Sequence, residues 1–324
     1  MTPARLGARA WAGWASWAFG PVDPAPMAAL RVLVGLLTVG WTLSLLPDAG
    51  VFLSGTGLVP GLPASGGGGA WAVTVPAPFI ILGVLLVASV GLTVGYRTRP
   101  CAVAVAVLLL VVQRRDPYVL NSGDLLLREM AFFVALMPSG EVWSFDARRR
   151  GQWRARAPWA LRLLQLQVSA AYLFSVTAKL RGGTWNSGTA VGIAVQLEDL
   201  QRLAIPQQVA QSLTFSALAS YATLVVEGAL VVGLWLPRAR WAVMAAGVAV
   251  HLGIEATLLI GWFSLAIIAC YVAFVPPPVL RRVVAGTGRR VVEGTGRRLG
   301  GRHRVTAADG AATCAPGPAP PLSS

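Results

Sequence analysis

Residues 241–275 run for 35 positions with His251 and Glu255 as their only acidic or basic side chains. As one helix this run would measure about 52 Å at ~1.5 Å per residue, against a bilayer hydrocarbon core of ~30 Å. It has to fold back, and Ile260-Gly261 offers the turn. Four further apolar stretches, 27–46, 77–95, 161–178 and 213–236, each lie near the ~20 residues that a membrane helix needs. Two shorter ones, 101–112 and 125–137, flank a polar hairpin. Together they predict an all-α protein, a polytopic membrane helical bundle of about eight transmembrane helices. Composition agrees. Only 12% of residues are charged where ~25% is usual for a soluble domain, and mean hydropathy is +0.64. One soluble core of this size cannot hide so much apolar surface, which excludes an ordinary soluble enzyme, a disulfide scaffold and a disordered chain. Cys101, Cys270 and Cys314 form no CxxC pair, and with two histidines no zinc pattern can be assembled.

Arginine placement orients the spans. With the N-terminus inside, the inner segments carry nineteen arginines and the outer segments five basic residues, while Arg31, Arg128 and Arg162 lie within spans. The expected protein is a multi-pass cell-membrane protein, in a bacterial inner membrane, with both termini cytoplasmic. Three segments follow: an interfacial segment at 1–26, a transmembrane domain at 27–277 and a basic tail at 278–324. Trp11, Trp14 and Trp17 recur every three residues, which suits a helix lying in the membrane interface better than a cleaved signal. The glycine run 66–69 reads as flexible. In the tail, Arg282 to Arg289 is echoed by Arg290 to Arg297 with a period of eight. Attraction to anionic lipid explains its charge without nucleic acid, so the expected partner is the lipid bilayer.

Ionisable groups at membrane depth are costly, and each marks a candidate site. Asp124 and Arg128 are four apart and could pair along one helix face, with Glu129 following. Glu227 stands mid-span with no near partner in sequence. His251 and Glu255 are also four apart, so the carboxylate could orient the imidazole or share its proton. Arg31 could snorkel or serve an internal anion, and both readings stay open. Lys179 is the sole lysine among 27 basic residues, at the outer end of the fifth span. Arginine cannot deprotonate in a protein, whereas a desolvated lysine can act as a base. A snorkelling anchor is the other reading of Lys179.

Ala178-Lys179-Leu180, followed by Trp185 and Gly188, resembles the lysine-leucine, tryptophan, glycine motif of the vitamin K-dependent gamma-carboxylase family, whose bacterial branch is the horizontally transferred transmembrane (HTTM) domain. Further marks follow the same order: Asn121 with Asp124, Ser144-Phe145-Asp146 after Pro138, Glu227, and His251 followed by Gly261 and Phe263. The family's histidine near the loop matching Asn121-Ser122-Gly123 has no counterpart here. The resemblance implies that Lys179 deprotonates a reduced quinone such as vitamin K hydroquinone, which with oxygen becomes a stronger base. That base takes a proton from a glutamate side chain, and carbon dioxide adds to the carbanion. The expected catalytic residues are Lys179, matched to the family's base, with His251 and Glu255 assisting it. Substrate binding would fall to Asn121, Asp124, Arg128, Trp185, Gly188 and Glu227, and the partner would be a secreted peptide. Two rival classes are a non-catalytic accessory protein for maturation or binding of a secreted peptide, and a transporter. A transporter calls for broken helices paired across an internal repeat, and the membrane part shows none.

Overall fold

The computed structural model describes residues 3–53, 78–115 and 121–285. The glycine run 66–69 and the tail repeat beyond residue 285 lie outside them. The described chain is all-helical, with no strand. Helix α1 (Pro3–Phe19) stacks Trp11 on Trp14, with ring centroids 5.0 Å apart. Helix α2 (Ala25–Leu45) begins where the Asp23 carboxylate accepts the Ala25 N–H at 2.9 Å, and a short α3 (Ala49–Leu53) follows it. Helix α4 (Pro78–Val94) packs on α2, α5 (Thr98–Arg115) packs on α4, and α6 (Ser122–Leu136) packs on both α5 and α2. The small α7 (Phe145–Arg150) takes Ser144 as its N-cap and Gly151, at φ +70°, as its left-handed C-cap.

The long α8 (Trp159–Leu180) leads into three short helices, α9 (Gly183–Asn186), α10 (Ala190–Ala194) and α11 (Gln207–Ala210). Helix α12 (Leu213–Gly233) packs on α8, α10 and α13 (Arg240–Thr257). The long apolar run does fold back. Helix α13 stops at Thr257, Gly261 turns the chain at φ +69°, and α14 (Phe263–Cys270) returns, closing with a 3-10 turn at Tyr271–Phe274. Only glycine fits that turn, because a Cβ on Gly261 would stand 2.5 Å from the Asn121 side-chain amide nitrogen.

Helices Ala25–Leu45 and Leu213–Gly233 are long and apolar enough to cross a membrane. The bent pair Phe263–Phe274 and Pro277–Ala285 would make a third if it counts as one span. Eight spans are therefore more than length and composition certify among the described residues. The reason is local. Helix α4 has 17 residues, α6 has 15, and α8 carries Arg162, two glutamines and Lys179.

The other end of the bundle from Lys179 is held by charge. Arg31 is fully buried and donates to the carbonyls of Ser139 at 3.3 Å and Trp143 at 2.5 Å. It serves backbone carbonyls and does not snorkel. Nearby, Asp146 caps α5, accepting the Arg97 N–H at 3.0 Å and both the N–H and the hydroxyl of Thr98 at 2.7 Å. Burial pushes its carboxyl up, but these three bonds and the Arg150 charge outweigh burial and hold it below the usual range. A depressed folded-state pKa stabilises above the unfolded value of ~3.9, and the gain is lost as pH falls through the lower folded value. The melting temperature of Asp146→Asn should therefore trail the wild type most near neutral pH, and the gap should shrink below about pH 4.

Candidate functional site

Arg162, Gln165, Ser169, Tyr172, Ser175 and Lys179 recur every three or four residues along α8 and so lie on one face. Most partners of this stripe come from other helices. The Gln165 amide donates to the Ala273 carbonyl at 2.7 Å, and the Ser169 hydroxyl accepts the Trp235 indole N–H at 2.8 Å. The Tyr172 hydroxyl lies 2.8 Å from His251 Nε2 and 2.5 Å from the Tyr271 hydroxyl. One turn further on, the Ser175 hydroxyl donates to Glu227 Oε2 at 3.0 Å, and Lys179 Nζ pairs with Glu227 Oε1. The mid-span glutamate thus has a partner 48 residues away in sequence, and the sole lysine is an ion-pair member. Glu227 keeps 5% of its surface exposed, whereas the Lys179 side chain keeps 19%.

Trp185 completes the cation's surroundings, with its ring centroid 4.8 Å from Lys179 Nζ. Its position follows from Gly188. That glycine has φ +73°, and a Cβ there would stand 3.1 Å from the Ala217 Cα. Ser216 donates to the Gly188 carbonyl at 2.9 Å and accepts the Gly192 N–H at 3.0 Å, while Ser220 accepts the Val191 N–H at 3.1 Å. Two serines on α12 therefore pin the loop that holds Trp185 over the lysine. Gly188 is in this sense a packing residue. Lys179, Trp185, Thr223 and Thr257 bring the polar groups to a cavity of about 430 Å³ whose other walls include Val191, Phe215, Ile254 and Leu258. A cationic amine facing an apolar slot can bind a flat amphipathic molecule by an acidic or anionic oxygen.

His251 is 2% exposed, lies edge-to-face with Phe263 and has no hydrogen-bond partner at Nδ1 among the described residues. It joins the Tyr172–Tyr271 hydroxyl pair, not Glu255. The expected His251–Glu255 pair does not form, because Glu255 points to Arg202 at 2.7 Å. Arg202 also donates its backbone N–H to the Thr257 carbonyl at 2.9 Å, so this ion pair ties an irregular segment to the end of α13. A helical spacing of four permitted the imidazole contact, but a full positive charge within reach is the stronger partner for a carboxylate.

The expected Asp124–Arg128 pair is also absent. Asp124 is drawn back over the helix N-terminus, where Asn121 accepts the Asp124 N–H at 3.1 Å and Asp124 accepts the Asn121 N–H at 3.1 Å. Its other oxygen accepts the Trp41 indole N–H at 2.7 Å. This reciprocal capping box takes the place of a salt bridge on the helix face. Of the expected residues, Lys179 meets both Glu227 and Trp185, and His251 joins the adjoining tyrosine pair. Asn121 and Asp124 line a different pocket. Tyr172 was legible as the residue seven before Lys179 on one helical face, whereas Tyr271 and Phe215 carried no signal in sequence.

A family model described as the HTTM domain matches residues 71–278. No curated protein and no solved structure matches the chain.

Proposed function

The chain belongs to the HTTM domain family, and on that premise we propose that it is a multi-pass membrane protein in which Lys179 accepts a proton from an occupant of the apolar cavity. Helices α2, α4, α5, α6, α8, α12, α13 and α14 would cross or enter the bilayer with both termini cytoplasmic, as the arginine bias favours, so that the Lys179 end faces outward. One observation carries the reading: Lys179 Nζ sits between the Glu227 carboxylate and the Trp185 ring at a cavity of about 430 Å³. Glu227 can take the ammonium proton, and Ser175, holding the far carboxylate oxygen, keeps the near one on Nζ. The Trp185 ring screens the amine from water. With an occupant filling the cavity and excluding water, Lys179 is then a free amine, ready to accept a proton there.

The residues present fit a reduced quinone: Phe215, Val191 and Ile254 would hold its ring and apolar tail, and Lys179 its hydroxyl. When bound, it would supply an acidic hydroxyl and, with oxygen, the stronger base needed to modify a secreted peptide. A second reading is a non-catalytic accessory protein for such a peptide. It is favoured by the completeness of the ion pair, since Glu227 has both oxygens satisfied without any ligand.

Purified protein in lipid nanodiscs should bind reduced menaquinone-4, read as a rise in thermal stability. Ala219→Phe, which fills the cavity from α12, should abolish that rise. Equal stabilisation of wild type and Ala219→Phe, or none of either, would favour the accessory reading.

A further inference from the structure

We propose that a second pocket, between the ends of α2, α5, α6 and α14, binds a small organic cation of the alkylammonium class. It encloses about 260 Å³, and its walls include Trp41, Trp262, Phe52, Asp48, Asp124 and Gln113. It shares no lining residue with the Lys179 cavity, so it stands or falls independently of the base role. In a chain with 27 basic and 13 acidic residues, this pocket has two carboxylates and, among the described residues, neither Arg nor Lys on its walls.

Three features define the ligand. Asp48 is exposed and takes part in no ion pair among the described residues. Asp124 receives one donor on each oxygen, and each oxygen keeps a further lone pair. Gln113 is 2% exposed, and its amide donates to the Asp124 carbonyl at 2.9 Å, which fixes the flip. The remaining Oε1 is a buried acceptor with no hydrogen-bond partner among the described residues, in a side chain that helps to line the pocket. A buried acceptor left open in this way calls for a donor. The indole N–H groups are already engaged, Trp41 with Asp124 at 2.7 Å and Trp262 with Ser44 at 3.2 Å, so the rings contribute faces and not donors. Acceptors, carboxylates and aromatic faces together suit a cation that carries both N–H groups and alkyl surface. No group of three His, Cys, Asp or Glu able to hold a metal ion occurs among the described residues, which favours an organic cation.

The test uses the full chain in phosphatidylglycerol nanodiscs, free of amine headgroups, titrated calorimetrically with n-butylammonium chloride. Sodium chloride at equal ionic strength and n-butanol, the neutral isostere, are the controls. Saturable one-site binding of butylammonium is expected, with none of butanol. Asp48→Asn, at an exposed position, should weaken it by about tenfold, one charge-assisted contact. Asp48→Lys should abolish it, and Gln113→Met should weaken it if that variant remains folded. Nα-acetyl-lysine amide is the second arm. Binding as tight as butylammonium identifies a basic side chain of a peptide as the source, and weaker binding identifies a free amine. Absent binding, equal binding of butanol, or binding undiminished in both Asp48 variants overturns the proposal.

Discussion

Lys179→Arg is expected to insert and accumulate like the wild type, yet to lose function by about 100-fold or more, as fully as Lys179→Ala. The guanidinium can still pair with Glu227 and stack on Trp185, so an ion-pair anchor would survive the exchange. A base would not, because arginine never yields the free amine. The check is complementation of a deletion strain, with protein levels compared by blot. Full complementation by the arginine variant would remove the base role and leave the accessory reading.

Lys179→Met should act differently on stability than on function. It strands Glu227, 5% exposed, without its cation, and breaking a buried pair from one side typically costs about 3–5 kcal/mol. Removing the second charge as well, in Lys179→Met with Glu227→Leu, should restore most of that stability, because two apolar side chains replace two desolvated charges. Function should stay lost in both. Unfolding midpoints in mixed detergent micelles read the first effect and complementation the second. A double variant no more stable than the single one would mean that Glu227 is not stranded by loss of the lysine.

Much of the architecture was legible because hydropathy and turn chemistry are local properties. The stretch 27–46 became α2 at Ala25–Leu45, and the fold-back expected at Ile260-Gly261 lies at Gly261. Partners of charged groups were less legible, because they depend on which helices become neighbours. Glu227 finds Lys179 across 48 residues, and Glu255 finds Arg202 across 53, where helical spacing alone suggested His251. Asp124 was misread for another reason. Asn121 followed three residues later by Asp124 is a local N-cap signal, but a carboxylate in an apolar stretch invited an ion-pair reading instead. Gly188 was legible as part of a motif, while its work, closing Trp185 over the lysine, required the α12 serines to be in place.

Lys179 is the only lysine in the chain, so protein grown on ε-15N-lysine carries a single labelled side-chain nitrogen. Nitrogen NMR of this protein in nanodiscs, before and after saturation with oxidised menaquinone-4, which fills the cavity but has no hydroxyl proton to give, reads its chemical state directly. If Lys179 handles a proton at the cavity, the one signal should leave the ammonium position when the cavity fills, and should not move in Ala219→Phe. A signal that stays at the ammonium position while the cavity is saturated would contradict the base role.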